Sequence, residues 1–107
     1  MLMDIVFSKN KVPIRLTDER WYHISVGHPE ISDLYYDILE TIENPFMIYE
    51  GSNAELIAVS SKNKPTNKFI VVVYKETSAV DGFVITAYSS NKPQTFLNKR
   101  IVWKQEP

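Results

Sequence analysis

Cysteine is absent from the 107 residues. That excludes a disulfide framework, a thiolate nucleophile and any zinc site built on sulfur. Long apolar runs are missing too. The longest, Phe69 to Tyr74, falls far short of the ~20 residues a membrane-spanning helix needs. Glycine is scarce, at three residues, and no glycine-rich phosphate loop or metal-ligand spacing is present. Neither sign of charge prevails, with 12 Lys+Arg against 13 Asp+Glu, which excludes a uniformly basic nucleic-acid binder. No basic stretch leading into an apolar run follows Met1, so the expected location is cytoplasmic and no membrane partner is expected. What remains is ordinary globular material, 44% hydrophobic and 23% charged, of a length suited to a single domain over 1–107.

The near-neutral total conceals a segregation. Between Thr17 and Glu43 stand Asp18, Glu19, Glu30, Asp33, Asp37, Glu40 and Glu43, with Arg20 as the one base. Between Gly82 and Gln105 stand Lys92, Lys99, Arg100 and Lys104 and no acid, and Lys62, Lys64 and Lys68 form a second basic cluster. Such a division lets one face attract a polyanion while the molecule stays almost uncharged. The plainer account is a solvated acidic helix beside strands edged by lysine, which guards them against aggregation.

Periodicity orders the chain. Asp4–Phe7 and Val12–Leu16 read as short strands around a turn at 8–11. Thr17 suits a helix N-cap, and Asp18 and Glu19 complement the dipole of a helix running to about Val26 and stopping at Gly27. Pro29 suits the start of a second helix, whose Ile31, Leu34, Tyr35, Ile38, Leu39 and Ile42 form one stripe. Asn44-Pro45 ends it. Next come a hairpin of Phe46–Tyr49 with Glu55–Val59, a lysine-rich tip at 60–68, and Phe69–Tyr74, apolar on both faces like a central strand. With Asp81-Gly82 as a turn, alternation from Phe83 points Phe83, Ile85 and Ala87 one way and Val84, Thr86 and Tyr88 the other. A helical turn at 94–98 and a last strand at 100–104 complete an α+β domain, with N-terminal helices packed on one face of a mainly antiparallel sheet.

The segment from Ile14 through Thr17, Trp21 and His23 to Ile24, then Gly27-His28-Pro29-Glu30, leads to a helix ending in Asn44-Pro45. A central apolar strand and Gly82-Phe-Val-Ile-Thr86-Ala-Tyr88 follow. This order of motifs resembles the small phage and bacterial nucleases grouped with barnase, EndoU, colicin nucleases and RelE (the BECR group), over about residues 12–104. The resemblance implies a BECR/RelE-like fold and a metal-independent, toxin-like endoribonuclease that binds RNA across its sheet. It also implies an antitoxin or inhibitor protein as partner. The histidine and strand hydroxyl of such domains match His28 (or His23) and Thr86, with Tyr88 beside Thr86.

Chemistry read from the residues alone agrees in outline. When a ribose 2′-OH attacks the adjacent phosphate, the reaction needs a base, an acid for the leaving 5′-oxygen and donors for the phosphorane charge. His23 and His28 are the only histidines. On one unbroken helix they would stand about 140° apart, and Gly27 offers the break that turns His28 elsewhere, with Glu30 to orient it. The alternatives are that His28 merely caps a helix and that His23 is a half-buried polar residue. Thr86 and Tyr88 can donate to phosphate oxygens, and Tyr88 can stack on a base. Ser89, Lys92, Lys99, Arg100 and Arg20 are the candidate RNA-binding residues. No cofactor is expected. The competing reading is a catalytically inactive RNA- or protein-binding regulatory module on the same fold.

Overall fold

The computed structural model describes residues 3–63 and 65–106; Lys64 of the expected basic cluster lies outside them. Strand β1 (Met3–Phe7) turns through Ser8–Lys11 into β2 (Pro13–Thr17), and α1 (Asp18–Gly27) follows directly. A 3-10 turn (Pro29–Ile31) leads to α2 (Tyr35–Glu43). Strands β3 (Met47–Glu50), β4 (Leu56–Val59), β5 (Phe69–Ser78) and β6 (Asp81–Ser90) come next, then a second 3-10 turn (Pro93–Phe96) and β7 (Ile101–Lys104). The seven strands form one sheet in the order β1-β2-β6-β5-β4-β3-β7. Every pairing is antiparallel except β2 with β6, which touch in parallel at Ile14–Gly82 and Arg15–Phe83.

Helix α1 begins as its sequence dictates, with the Thr17 hydroxyl accepting from the Arg20 N–H and two acids in the first turn. Its end differs from expectation. Gly27 is not left-handed, and the chain leaves the helix at His28, whose N–H closes onto the Ile24 carbonyl while its own carbonyl accepts from Ile31. The second helix starts at Tyr35 and not at Pro29. Pro29 instead opens the 3-10 turn, which seats Ile31 in the core with no exposure.

One buried cluster joins Ile24 of α1, Ile31, and Ile38 and Ile42 of α2 to Ile14, Leu16, Ala58, Val72, Tyr74, Val84 and Ala87 of the sheet. A smaller cluster on the other face holds Ile57, Val59, Phe69, Val71 and Phe96. The α+β class and the mainly antiparallel sheet stand, but the two helices do not lie side by side on the same strands. Helix α1 lies against β2 and β6, whereas α2 lies against β1, β4 and β5. The sheet curls enough for the Lys9 ammonium, in the turn at one edge, to sit 5.1 Å from the ring of Trp103 on β7 at the other.

Two sequence expectations fail in the β5–β6 hairpin. The turn is Ala79–Val80, so Asp81 and Gly82 belong to the strand. Gly82 is there for space: a Cβ would lie 2.6 Å from the Lys75 carbonyl and from Ile14 Cδ1. Strict alternation also breaks. Tyr74 pairs with Val84 and Val73 with Thr86, leaving Ile85 as the extra residue of a β-bulge. Val84 and Ala87 therefore share the helix-side core, and Thr86 and Tyr88 share the opposite face.

Candidate active site

Because β2 meets β6 only at its start, the edge of β6 beyond Phe83 has no strand partner among the described residues. Helix α1 and the Pro29–Ile31 turn lie against that strand. The break at His28 thus occurs beside the end of β6. The His28 ring stands 5.7 Å from that of Tyr88, tilted by 34°. Its Nδ1 lies 3.5 Å from Glu30 Oε2, both side chains being about 40% exposed. An imidazole, a phenol and a carboxylate therefore meet where solvent and a long ligand can reach them.

Environment sets what each group can do. Burial raises the Tyr88 hydroxyl above its ordinary range, because a half-buried site disfavours the phenolate. At neutral pH it is a hydrogen-bond donor and not a base. Glu30 sits where it can hold the His28 imidazole in one orientation. Thr86 lies one register step from Tyr88 on the same face, half-buried opposite Val73.

The remaining expected residues scatter. His23 sits on the exposed side of α1 with its ring 5.9 Å from that of Tyr22. Arg20 is exposed in the first turn of the same helix and forms no ion pair among the described residues, since Glu30 faces His28 instead. Ser89 points to the helix side, where it lines a groove with Glu30, Asp33, Asp37 and Lys68. Those carboxylates make it a poor phosphate seat. Arg100 forks Glu50 at 3.2 and 3.3 Å beside the β3–β7 edge. Lys99 is half-buried at the end of the second 3-10 turn, its N–H on the Phe96 carbonyl. Lys92 remains close, exposed just past β6 with its N–H on Ser90 Oγ.

Two features went unread in the sequence. Arg15 grips Asp81 with two bonds, at 2.9 and 3.0 Å, and lies over the Phe83 ring. Hydrogen bonding to Arg15 holds the Asp81 carboxyl below its ordinary range. A cationic residue between buried Ile14 and Leu16 was the available signal. The second is an aromatic cleft beside the second 3-10 turn, whose Phe46 and Tyr49, Phe69, and Phe96 come from three separate segments. No local spacing announces it. Among the described residues no group of three or more His, Asp or Glu side chains is placed to hold a metal ion, and no helix is long and apolar enough to cross a membrane. No protein-family model, curated protein or solved structure matches the chain.

Proposed function

We propose that the chain is a metal-independent endoribonuclease of the BECR type, with RNA as substrate and a toxin-like role restrained by an antitoxin or inhibitor protein. The observation that carries this reading is the approach of His28 to Tyr88, 5.7 Å between rings, with Glu30 behind the imidazole. In this reading His28 takes the proton of a ribose 2′-OH. The 2′-oxygen then bonds to phosphorus, and the bond from phosphorus to the 5′-oxygen breaks. Tyr88 hands its proton to that leaving oxygen, and the neighbouring imidazolium reprotonates the phenolate. The products are a 2′,3′-cyclic phosphate and a free 5′-hydroxyl, with no net proton consumed. Thr86 and Lys92 supply donors to the phosphorane oxygens.

Purified protein incubated with single-stranded RNA in EDTA tests this directly, beside a His28→Ala variant shown by circular dichroism to be folded. The expected result is cleavage that survives chelation, leaves 2′,3′-cyclic ends and falls by roughly 10²–10⁴-fold in the variant. Equal cleavage by both proteins removes His28 from the mechanism. A second reading, a catalytically inactive RNA- or protein-binding regulatory module, draws on the sparse cations around His28. RNA binding without cleavage selects it.

A further inference from the structure

An unassigned feature of the face that carries Tyr88 is the aromatic cleft. It encloses about 370 Å³ between the ends of β3, β4 and β5 and the Pro93–Phe96 turn, a size at the small end of ligand sites. Phe96 and Tyr49 stack with centroids 5.0 Å apart and planes within 17°, and Phe69 meets Phe96 at 6.3 Å. Phe69 and Phe96 are buried, whereas Phe46 stands at the mouth, 46% exposed. Apolar side chains make most of the lining, and Ser60, Ser61 and Lys62 make its polar part. No acid lines it.

We infer that this cleft takes one nucleobase of a single-stranded RNA lying across the sheet, with the adjoining phosphate at Lys62. The inference rests on the ribonuclease reading and names a subsite for it. Three observations support it. Phe46 offers an exposed ring at the mouth of an aromatic lining, and every base has a π-face, so such a surface accepts bases without reading their sequence. A lysine on a lining that itself holds no acid complements the phosphate that accompanies each base. The cleft is also continuous with the site: Phe69, Phe96 and Val59 of its wall belong to the cluster against which Tyr88 packs. Exposed Lys92 lies between Ser90, one register step beyond Tyr88, and Pro93 of the lining.

The first measurement is a titration of the wild-type protein with adenosine and uridine 5′-monophosphates, followed by NMR. Shifts centred on Phe46, Tyr49, Phe69 and Phe96 support the inference; shifts elsewhere, or none at millimolar ligand, overturn it. Tyrosine amide serves as a counter-ligand, and an equal or larger response to it overturns the inference in favour of an aromatic side chain from a protein partner. The second measurement uses a 2′-O-methyl oligonucleotide, which cannot be cut by its own 2′-OH, so binding is read apart from chemistry. Phe46→Ala should weaken its binding by about 5- to 150-fold, the range of one lost base stack. Lys62→Ala should lower the salt slope by about 0.7. Unchanged binding by Phe46→Ala while wild-type protein still cleaves RNA overturns this subsite alone. Oligonucleotide binding weakened by Phe46→Ala in a protein that never cleaves RNA overturns the ribonuclease reading alone and keeps the base subsite.

Discussion

Deleting Ile85 separates two accounts of strand β6 and tests whether the face presented by Tyr88 is understood. By simple alternation, removing one residue inverts everything after it, turning Tyr88 into the core and Ala87 out. The bulge predicts the reverse. Ile85 is the unpaired extra residue between the Tyr74–Val84 and Val73–Thr86 pairs, so its loss regularises the ladder and keeps both faces. The expected cost is then the burial of one half-exposed isoleucine, about 1 kcal/mol from the 1.5–3 kcal/mol of full burial. With a urea slope of ~1–3 kcal/mol/M for a domain of this size, the midpoint should fall by roughly 0.3–1 M with the slope unchanged. Inversion would instead force a tyrosine into space filled by fully buried Ala87 and strand the apolar face in water. That cost consumes much of the ~5–15 kcal/mol that holds such a domain together. A variant without a cooperative urea transition would refute the bulge assignment. A folded variant should also retain the His28–Tyr88 ring contact, which NMR reports as a cross-peak.

Further expectations concern the site and its support. Tyr88→Phe keeps the ring and removes the hydroxyl, so RNA cleavage should drop by roughly 10²–10³-fold while thermal stability barely changes; undiminished turnover would remove Tyr88 as donor. Gly82→Ala should destabilise by about 1–3 kcal/mol in urea melts, because the new Cβ meets the Lys75 carbonyl at 2.6 Å. Burial raises Tyr74 and, with a bond to Asp4, Tyr35, and burial alone raises Tyr88. Folded groups that hold protons more tightly than the unfolded chain contribute stability that is complete below pH ~10 and lost above it. Urea midpoints should therefore be flat to about pH 9 and fall by pH ~11, alongside phenolate absorbance; a midpoint that rises there contradicts the assignment.

Local rules carried much of the architecture. Thr17, Asp18 and Glu19 announced the start of α1, the Ile38–Ile42 stripe announced α2, and β-branched Phe69–Tyr74 announced the central strand. What escaped was long-range. Nothing in Pro13–Thr17 shows that it pairs in parallel with a strand begun 64 residues later at Asp81. That pairing drew the N-terminal hairpin into the sheet and freed the later edge of β6 for α1. Gly82 read as a turn residue because glycine is common in turns, whereas its role is close approach of β2 and β5. Pro29 read as a helix start, but burying Ile31 favoured a single 3-10 turn. At the site, the break near Gly27 was legible and carried His28 to Tyr88. The partner of Arg100 was not, since an ion pair depends on which strands become neighbours.

The charge map bears on the same proposal. A net charge of −1 looks unfavourable for a protein meeting a polyanion, yet most of the acids of 17–43 stand on the helix side. Glu30, Asp33, Asp37 and Glu40 line grooves on the helix side. Among them Glu30 alone reaches His28. Through solvent at physiological ionic strength a charge is felt over ~8 Å, and the molecule is 25 Å across its shortest axis. The acidic groove nonetheless meets the aromatic cleft at Ser60 and Ser61, so Asp37 and Glu40 border the proposed RNA path at that end, and Lys62 and Lys92 supply the local cations on the Tyr88 side. On the proposed reading the acids would repel RNA from the helix side, so the segregation would steer where a uniform basic charge would bind without orientation. The consequence is a shallow dependence of RNA affinity on salt. Two phosphate contacts give a log–log slope of about −1.4 for a single strand, and a slope several times steeper would mean that RNA crosses a surface other than this one.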